Sequence, residues 1–148
     1  MENNKSGMTL FVKTSSRLVA VLGLIFGMHI ILHGHLAPGG GFAGGVIIAL
    51  SFVLLILAFG KDAALSKLSL KLASNLENVG ALLFLIIGLL GFSGGAFFLN
   101  VLVKGSPFRL FSAGTIPLNN VVIGLKVGVG LFVIFLTLVI LEKSKKEQ

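Results

Sequence analysis

Three histidines that lie close together in an apolar stretch are the residues best suited to chemistry. His29 and His33 are one helical turn apart and share a face, whereas His35 points elsewhere if the helix continues. Because imidazole titrates near neutral pH, the cluster predicts a role in handling protons. Hydrogen bonding at a helix interface and a metal site stay open as alternatives. We predict no metal, because no Cys or acidic residue lies nearby.

Lys126 is the charged residue that is most costly to place, because it lies inside the last apolar run. An ammonium group in the hydrocarbon costs about 3 kcal/mol. The side chain could snorkel outward to the interface and avoid most of that cost. Alternatively, it faces a hydrated cavity that is shared with a partner subunit. Gly130, Val133 and Thr137 share its helical face, so an ion pathway here would be a thin polar stripe.

Other polar side chains flank the apolar runs. Asn119 and Asn120 could offer carbonyl oxygens to a cation, or they could cap the last helix. Glu77 follows Ser74 at the spacing of a capping box, which predicts that it caps the start of the third helix. On this interpretation no acidic residue lies inside a span, so we do not expect the chain to translocate an ion alone.

The elements that position these residues must lie in a membrane. The chain has 148 residues, of which 55% are hydrophobic and 11% are charged, and its mean hydropathy is +1.06. Soluble chains carry about 25% charged residues, so there is too little charge here to cover a water-facing surface. The absence of cysteine excludes thiol redox chemistry and iron–sulfur ligation. We predict no catalytic residues and no cofactor.

Long uncharged runs separated by turn signals predict an all-α integral membrane protein with four spans in one domain over residues 1–148. A span needs about 20 apolar residues, and residues 18–60 are long enough for two. The segment from Pro38 to Phe42 divides this run, because proline and clustered glycines disfavour helix. The predicted spans lie at about 18–35, 42–59, 76–99 and 121–141.

The charges outside the spans predict the topology. Nine Lys and Arg residues lie on the side that holds both termini, and two lie on the other side. The positive-inside rule therefore predicts that both termini are cytoplasmic in a multi-pass protein of the cell membrane. The link over residues 61–75 is either an amphipathic helix on the membrane surface or a basic loop. The Lys and Arg residues that give the net charge of +7 lie at the edges of the spans and not on one binding face, so we predict no nucleic-acid partner.

Glycines at helical spacing predict close helix contacts within the chain, with partners, or both. They occur in the first, third and fourth spans, at Gly23 and Gly27, at Gly88, Gly91 and Gly95, and at Gly124 and Gly128.

The run HGHLAPGGGFAGG, from His33 to Gly45, resembles the G-H-x-x-P-G-G-G-F-x-G-G signature of the MnhB/MrpB family. Its motif residues are Pro38, Gly39, Gly40, Gly41, Phe42, Gly44 and Gly45. The family comprises small membrane subunits of multisubunit sodium/proton antiporters and of related modules in archaeal membrane-bound hydrogenases and sulfur-reducing complexes. The resemblance implies a non-catalytic subunit that packs with other membrane subunits and helps to form a route for sodium, while partners carry out the redox or antiport chemistry.

The resemblance leaves the host complex open. Many antiporter members have an acidic residue where this chain has Asn119-Asn120, and an apolar residue at Lys126. A complex of the hydrogenase type is therefore at least as well supported as a stand-alone antiporter. A competing interpretation is a structural assembly subunit that has no contact with the ion. The missing acids and the lack of an internal repeat disfavour a third class, an independent channel.

Overall fold

The computed structural model describes residues 8–60, 69–102, 105–106, 109 and 112–146, with side chains described as far as Leu141. Within these ranges the protein is helical and contains no β-strand. The helices are α1 (Leu10–His33), α2 (Gly40–Phe59), α3 (Leu70–Leu90) and α4 (Ile116–Lys146), and a 3-10 turn (Gly91–Gly94) extends α3.

Four helical stretches in the described residues are long and apolar enough to cross a membrane, namely Leu10–His33, Gly40–Phe59, Leu70–Gly94 and Ile116–Leu141. The predicted membrane fold is confirmed, but every helix begins before its predicted start. An uncharged run indicates only the part of a helix that lies in the hydrocarbon core, and the helices here extend beyond that part. In α1 the extra turns contain Lys13 and Arg17, whose charged groups lie 6.0 and 5.3 Å from the centre of the Phe59 ring.

The start of α3 corrects two predictions. Ser69 is the N-cap, and its Oγ accepts a hydrogen bond of 3.3 Å from the backbone N–H of Leu72. Ser74 and Glu77 lie inside the helix, so the predicted capping box is wrong. Residues 70–75 belong to the same continuous helix and not to a separate surface helix or a loop, and residues 61–68 of the predicted link lie outside the described residues.

The end of α3 also differs from the predicted span over 76–99. The chain leaves the helix after Gly94 and folds back on it, because the backbone N–H of Phe98 donates to the carbonyl of Gly88 at 3.1 Å. The Phe98 ring also packs 5.1 Å from the ring of Phe84. The third membrane crossing is therefore shorter at this end than hydropathy alone indicates.

The helices pack in the order α1, α2, α4 and α3. Helix α2 lies between α1 and α4, while α3 makes its main contact with α4. The buried core between α2, α3 and α4 contains Ile56, Ala73, Phe132 and Leu136. Phe52 packs edge-on against Phe132 with ring centroids 5.8 Å apart. This order leaves α3 on one flank of the bundle.

Candidate functional site

The turn between α1 and α2 uses glycine where the backbone requires it. Gly39 and Gly40 have φ values of 134° and 71°. Residues that carry a Cβ rarely adopt such positive φ values, whereas glycine adopts them readily. Helix α2 begins at Gly40, so Gly40 and Gly41 lie in the helix and not in the predicted turn. Pro38 and Phe42 are exposed on the surface of the chain.

Asn120 joins this turn to α4. Its Oδ1 accepts a long hydrogen bond of 3.4 Å from the backbone N–H of Gly41. A Cβ at Gly41 would collide with the carbonyl oxygen of Asn120, and a Cβ at Gly34 would lie 2.8 Å from Asn120 Nδ2. These glycines therefore allow the α1–α2 turn to sit directly on the beginning of α4.

Gly44 and Gly45 continue the close packing along α2. A Cβ at Gly44 would lie 2.7 Å from the carbonyl oxygen of Gly27 in α1. A Cβ at Gly45 would lie 2.8 Å from the carbonyl oxygen of Gly124 in α4. The glycine motif thus brings α2 into backbone contact with both neighbouring helices, and the contacts predicted at Gly27 and Gly124 are made within the chain.

The histidines lie at the same end of the bundle, but they do not point to one site. The rings of His29 and His33 stack with centroids 4.1 Å apart, and His33 Nδ1 lies 3.0 Å from the carbonyl oxygen of His29. His35 Nε2 lies 3.0 Å from the carbonyl oxygen of Arg109. Because a carbonyl only accepts, the ring nitrogen in each pair carries the hydrogen and donates. His35 therefore links the end of α1 to the segment before α4.

Three buried polar atoms near this end have no hydrogen-bond partner among the described residues. They are His35 Nδ1, Asn119 Oδ1 and Asn120 Nδ2. Helix α4 begins at Ile116, so the two asparagines lie inside it, and the alternative that they cap the helix is wrong. Buried polar atoms are normally bonded to protein or to water. The Asn119 oxygen and His35 Nδ1 are therefore candidates for contact with water or a cation, and Asn120 Nδ2, which only donates, is a candidate for contact with water.

Asn100 is an organising residue that sequence reasoning missed. Its Nδ2 donates to the carbonyl of Ala113 at 2.9 Å, and its Oδ1 accepts from the backbone N–H and the hydroxyl of Thr115 at 3.0 and 3.2 Å. The side chain thus holds the segment that leads into α4. An amide at the end of an apolar run was the only local signal, and it did not identify the partners.

Lys126 pairs with an acidic residue of the neighbouring helix. Its Nζ lies 3.7 Å from Glu77 Oε1, with 49% of the Lys126 side chain and 37% of the Glu77 side chain exposed in the isolated chain. Glu77 lies inside the third membrane-crossing helix, so the expectation that no acid lies in a span is wrong. The capping pattern is misleading because α3 already begins at Leu70, directly after its cap at Ser69.

The side chain of Lys126 extends away from the start of α4. A Cβ at Gly80 would lie 3.3 Å from Lys126 Cβ, whereas a Cβ at Gly130 would lie 3.6 Å from Glu77 Oε1. The ammonium group therefore reaches about one turn toward the end of α4. The snorkelling alternative predicts that the ammonium group reaches the interface at the start of α4. The observed direction is the opposite one. Lys126 lies about 15 Å into the helix, deeper than the roughly 8 Å that the predicted helix start implied.

The remaining candidate, Thr137, does not join the pair. Its hydroxyl donates to the carbonyl of Val133 at 2.8 Å within the same helix. The candidate residues therefore fall into separate groups. The histidines and asparagines lie at the end where the α1–α2 turn meets α4, Lys126 and Glu77 lie deep in the α3–α4 interface, and Thr137 lies further along α4.

Together these features define a class, a multi-pass helical membrane protein with glycine-packed helices and an ion pair between two spans. No group of three or more His, Cys, Asp or Glu residues in the described ranges could hold a metal ion. The sequence matches the family model described as "Domain related to MnhB subunit of Na+/H+ antiporter" over residues 11–133. The chain belongs to the MnhB family.

The relatives include proteins of different lengths. A Na(+)/H(+) antiporter subunit of Bacillus subtilis is 33% identical over 146 residues, which cover 99% of each chain. An uncharacterized protein of Methanocaldococcus jannaschii is 36% identical over 151 residues, which cover 95% of this chain. The match spans 57% of that archaeal relative, so the chain corresponds to little more than half of it.

A solved structure shows the same fold. It is described as the membrane-bound sulfane sulfur reductase, an archaeal respiratory membrane complex, and the matched chain is 32% identical with a TM-score of 0.75. The match covers 93% of this chain and 60% of the other. Relatives of this protein therefore occur both as an antiporter subunit and in a respiratory membrane complex, as the signature between His33 and Gly45 implied.

Proposed function

We propose that this protein is a non-catalytic membrane subunit of a multisubunit cation/proton antiporter or of an antiporter-derived respiratory complex. Its relatives in Bacillus subtilis and in the archaeal sulfane sulfur reductase support the role as a subunit. Its helices pack with other small subunits and help to form the sodium route, with both termini on the cytoplasmic side. The observation that carries the sodium role is the half-exposed pair of Lys126 and Glu77 deep between two spans.

The pair can act on a passing ion through its charges. Glu77 offers a carboxylate to a cation, and the ammonium group of Lys126, 3.7 Å away, competes for the same oxygen. Because Lys126 carries a point charge on a flexible stem, it can move aside or release its proton. A cation at Glu77 would therefore be linked to the position or protonation of Lys126. Gly130 beside the carboxylate leaves this face without a further side chain.

The polar end of the bundle offers a second place for contact with ions or water. Asn119 Oδ1 and His35 Nδ1 are buried acceptors without a donor among the described residues. An amide carbonyl oxygen is a suitable ligand for a hard cation. His35 and His33 retain the proposed role in handling protons, since each ring has one nitrogen beyond its backbone hydrogen bond.

Substitution of Lys126 tests the sodium role. Lys126→Met removes the charge at similar length, and Lys126→Arg keeps the charge but does not release its proton. Lys71→Met is the matched control, because Lys71 lies exposed in the first turn of α3. The measurement is sodium-dependent proton antiport by complexes that contain the full set of subunits.

The outcomes separate the possible roles of the charge. If charge alone is required, Lys126→Arg and Lys71→Met retain coupling and Lys126→Met loses it. If proton release is required, both variants at Lys126 lose coupling while the control retains it. Normal coupling in both variants at Lys126, with normal assembly, contradicts the sodium role.

The second candidate is a structural assembly subunit that has no contact with the ion. The backbone packing of Gly41, Gly44 and Gly45 favours this candidate, because a rigid helical unit is suited to organising other subunits. Glu77→Gln distinguishes the two, since it retains the shape of the side chain and removes only its charge. Loss of sodium dependence in an intact complex supports the ion route, and loss of assembly alone supports the structural candidate.

A further inference from the structure

Helix α4 has an open sector between α2 and α3. Gly124 and Val127 face α2, whereas Val122 and Lys126 lie toward α3. At 100° per residue, Gly130 and Ile134 point between these two directions. Ile134 is 59% exposed in the chain, and the Lys126–Glu77 pair lies at the edge of the sector beside α3. This open sector is the part of the bundle where charge and exposed apolar surface adjoin.

The described residues satisfy the charges at this edge only in part. The separation of 3.7 Å is an ion-pair distance but exceeds a normal hydrogen bond. An ammonium group has three donors and a carboxylate has two acceptor oxygens, and no hydrogen bond involves either side chain among the described residues. Lipid tails offer no partners, so contact between this pair and lipid at this depth is unfavourable. A polar group beyond the described residues would complete the pair.

A hollow beside the pair sets a condition on the shape of any partner that covers it. It has a volume of about 170 Å³ and is lined by apolar groups and the stem of Lys126, from Gly80, Phe84, Val122, Ile123, Lys126 and Val127. The hollow lies toward the start of α4, whereas the ammonium group extends toward its end. One large apolar side chain fits the hollow, at about one helical turn from the charge.

We infer that the open sector of α4 is the docking surface for a transmembrane helix of a different subunit. That helix presents a side-chain oxygen, from a carboxylate, hydroxyl or amide, to Lys126. It also inserts a large apolar side chain into the hollow about one turn away. The inference rests on the proposed membership of a multisubunit complex, but it does not require that sodium passes the pair.

Photo-crosslinking in the assembled complex tests the inference. A photo-reactive benzoylphenylalanine replaces Ile134 in one variant and Ile25 in the matched control. Both are isoleucines, with exposures of 59% and 62% in the isolated chain. Ile25 faces away from α2, because it lies 200° around α1 from both Gly23 and Gly27, which contact α2.

The expected product at position 134 is an adduct with a transmembrane segment of another subunit, absent when that subunit is omitted. Mass spectrometry must place an oxygen-bearing side chain in this segment near the adduct. Adducts with lipid alone, or with a second copy of this chain, overturn the inference. The control at position 25 must not give the same subunit adduct, and if it does, the surface is not specific to the open sector.

The charge at Lys126 provides a second test with the same readout. A polar contact between helices in lipid changes association by about ten-fold. Lys126→Met should lower the yield of the adduct at position 134 accordingly, while Lys126→Arg should preserve most of it. An unchanged yield in Lys126→Met overturns the polar contact. A reduced yield with normal sodium dependence in the remaining intact complexes supports docking and contradicts the sodium role, so the two proposals fail separately.

Discussion

Replacement of Gly41 by alanine should force α2 away from α4. An added Cβ would collide with the carbonyl oxygen of Asn120, and it would lie 2.9 Å from Ile123 Cβ and 3.0 Å from the carbonyl carbon of Asn120. Two of these three atoms belong to the backbone of a helix. Since rotation of a side chain cannot relieve such contacts, one helix must move relative to the other.

The expected loss of stability follows from these distances. Inserting a methyl group into a close-packed contact costs about 1–3 kcal/mol. Alanine recovers less than about 1 kcal/mol through its better helix propensity, because Gly41 is only the second residue of α2. A net loss of about 2 kcal/mol corresponds to roughly thirty-fold in an equilibrium constant. The hydrogen bond of 3.4 Å from Gly41 to Asn120 would also lengthen.

This loss can be measured by heating the purified complex. The readout at each temperature is the fraction of protein that still elutes as intact complex. Ile25→Ala is the control, because Ile25 is 62% exposed in the isolated chain and faces away from α2. Gly41→Ala should lower the midpoint of denaturation, and Ile25→Ala should leave it nearly unchanged. Equal midpoints for both variants and the parent would refute the packing argument for the glycine motif.

Other predictions concern the topology, the histidines and the segment before α4. In the cysteine-free chain, a single cysteine at Ser144 should react with an impermeant thiol reagent only from the cytoplasm and one at Ser112 only from outside; reaction of both from one side contradicts the topology. His33→Gln and His35→Gln should alter the pH profile of antiport without loss of assembly, and an unchanged profile between about pH 5 and 9 favours packing roles. Asn100→Ala removes three hydrogen bonds, so the Thr115 amide should exchange about ten-fold faster with deuterium; unchanged exchange shows that the segment is held by other contacts.

Hydropathy and the glycine motif were sufficient to predict the number of spans and the family. A helix that crosses the hydrocarbon core must be free of most charges along that part. An uncharged run therefore locates the helix, although it does not fix where the helix begins and ends. The first helix shows the limit of this signal, since α1 continues through Lys13 and Arg17 to begin at Leu10. Both cations lie near Phe59 of α2, a contact that depends on tertiary packing.

The ion pair shows why the candidate site was harder to predict. Lys126 could be identified as costly from its position alone, but its partner depends on the register between α3 and α4. That register follows from the close approach of Gly80 to Lys126 and of Glu77 to Gly130, which no local pattern records. In addition, Ser74 and Glu77 offered a plausible local explanation of the acid, while the true cap lies at Ser69.

The exposed flank of the α3–α4 pair has a consequence for how the cell maintains the protein. A subunit made in excess of its partners would keep the Lys126–Glu77 pair facing lipid, and its stability in the bilayer would be lower than in the complex. Proteases of the membrane act on such loosely held states and remove them. The same two charges would then help to match the amount of this chain to the supply of its partners, because surplus copies are degraded and assembled copies are protected.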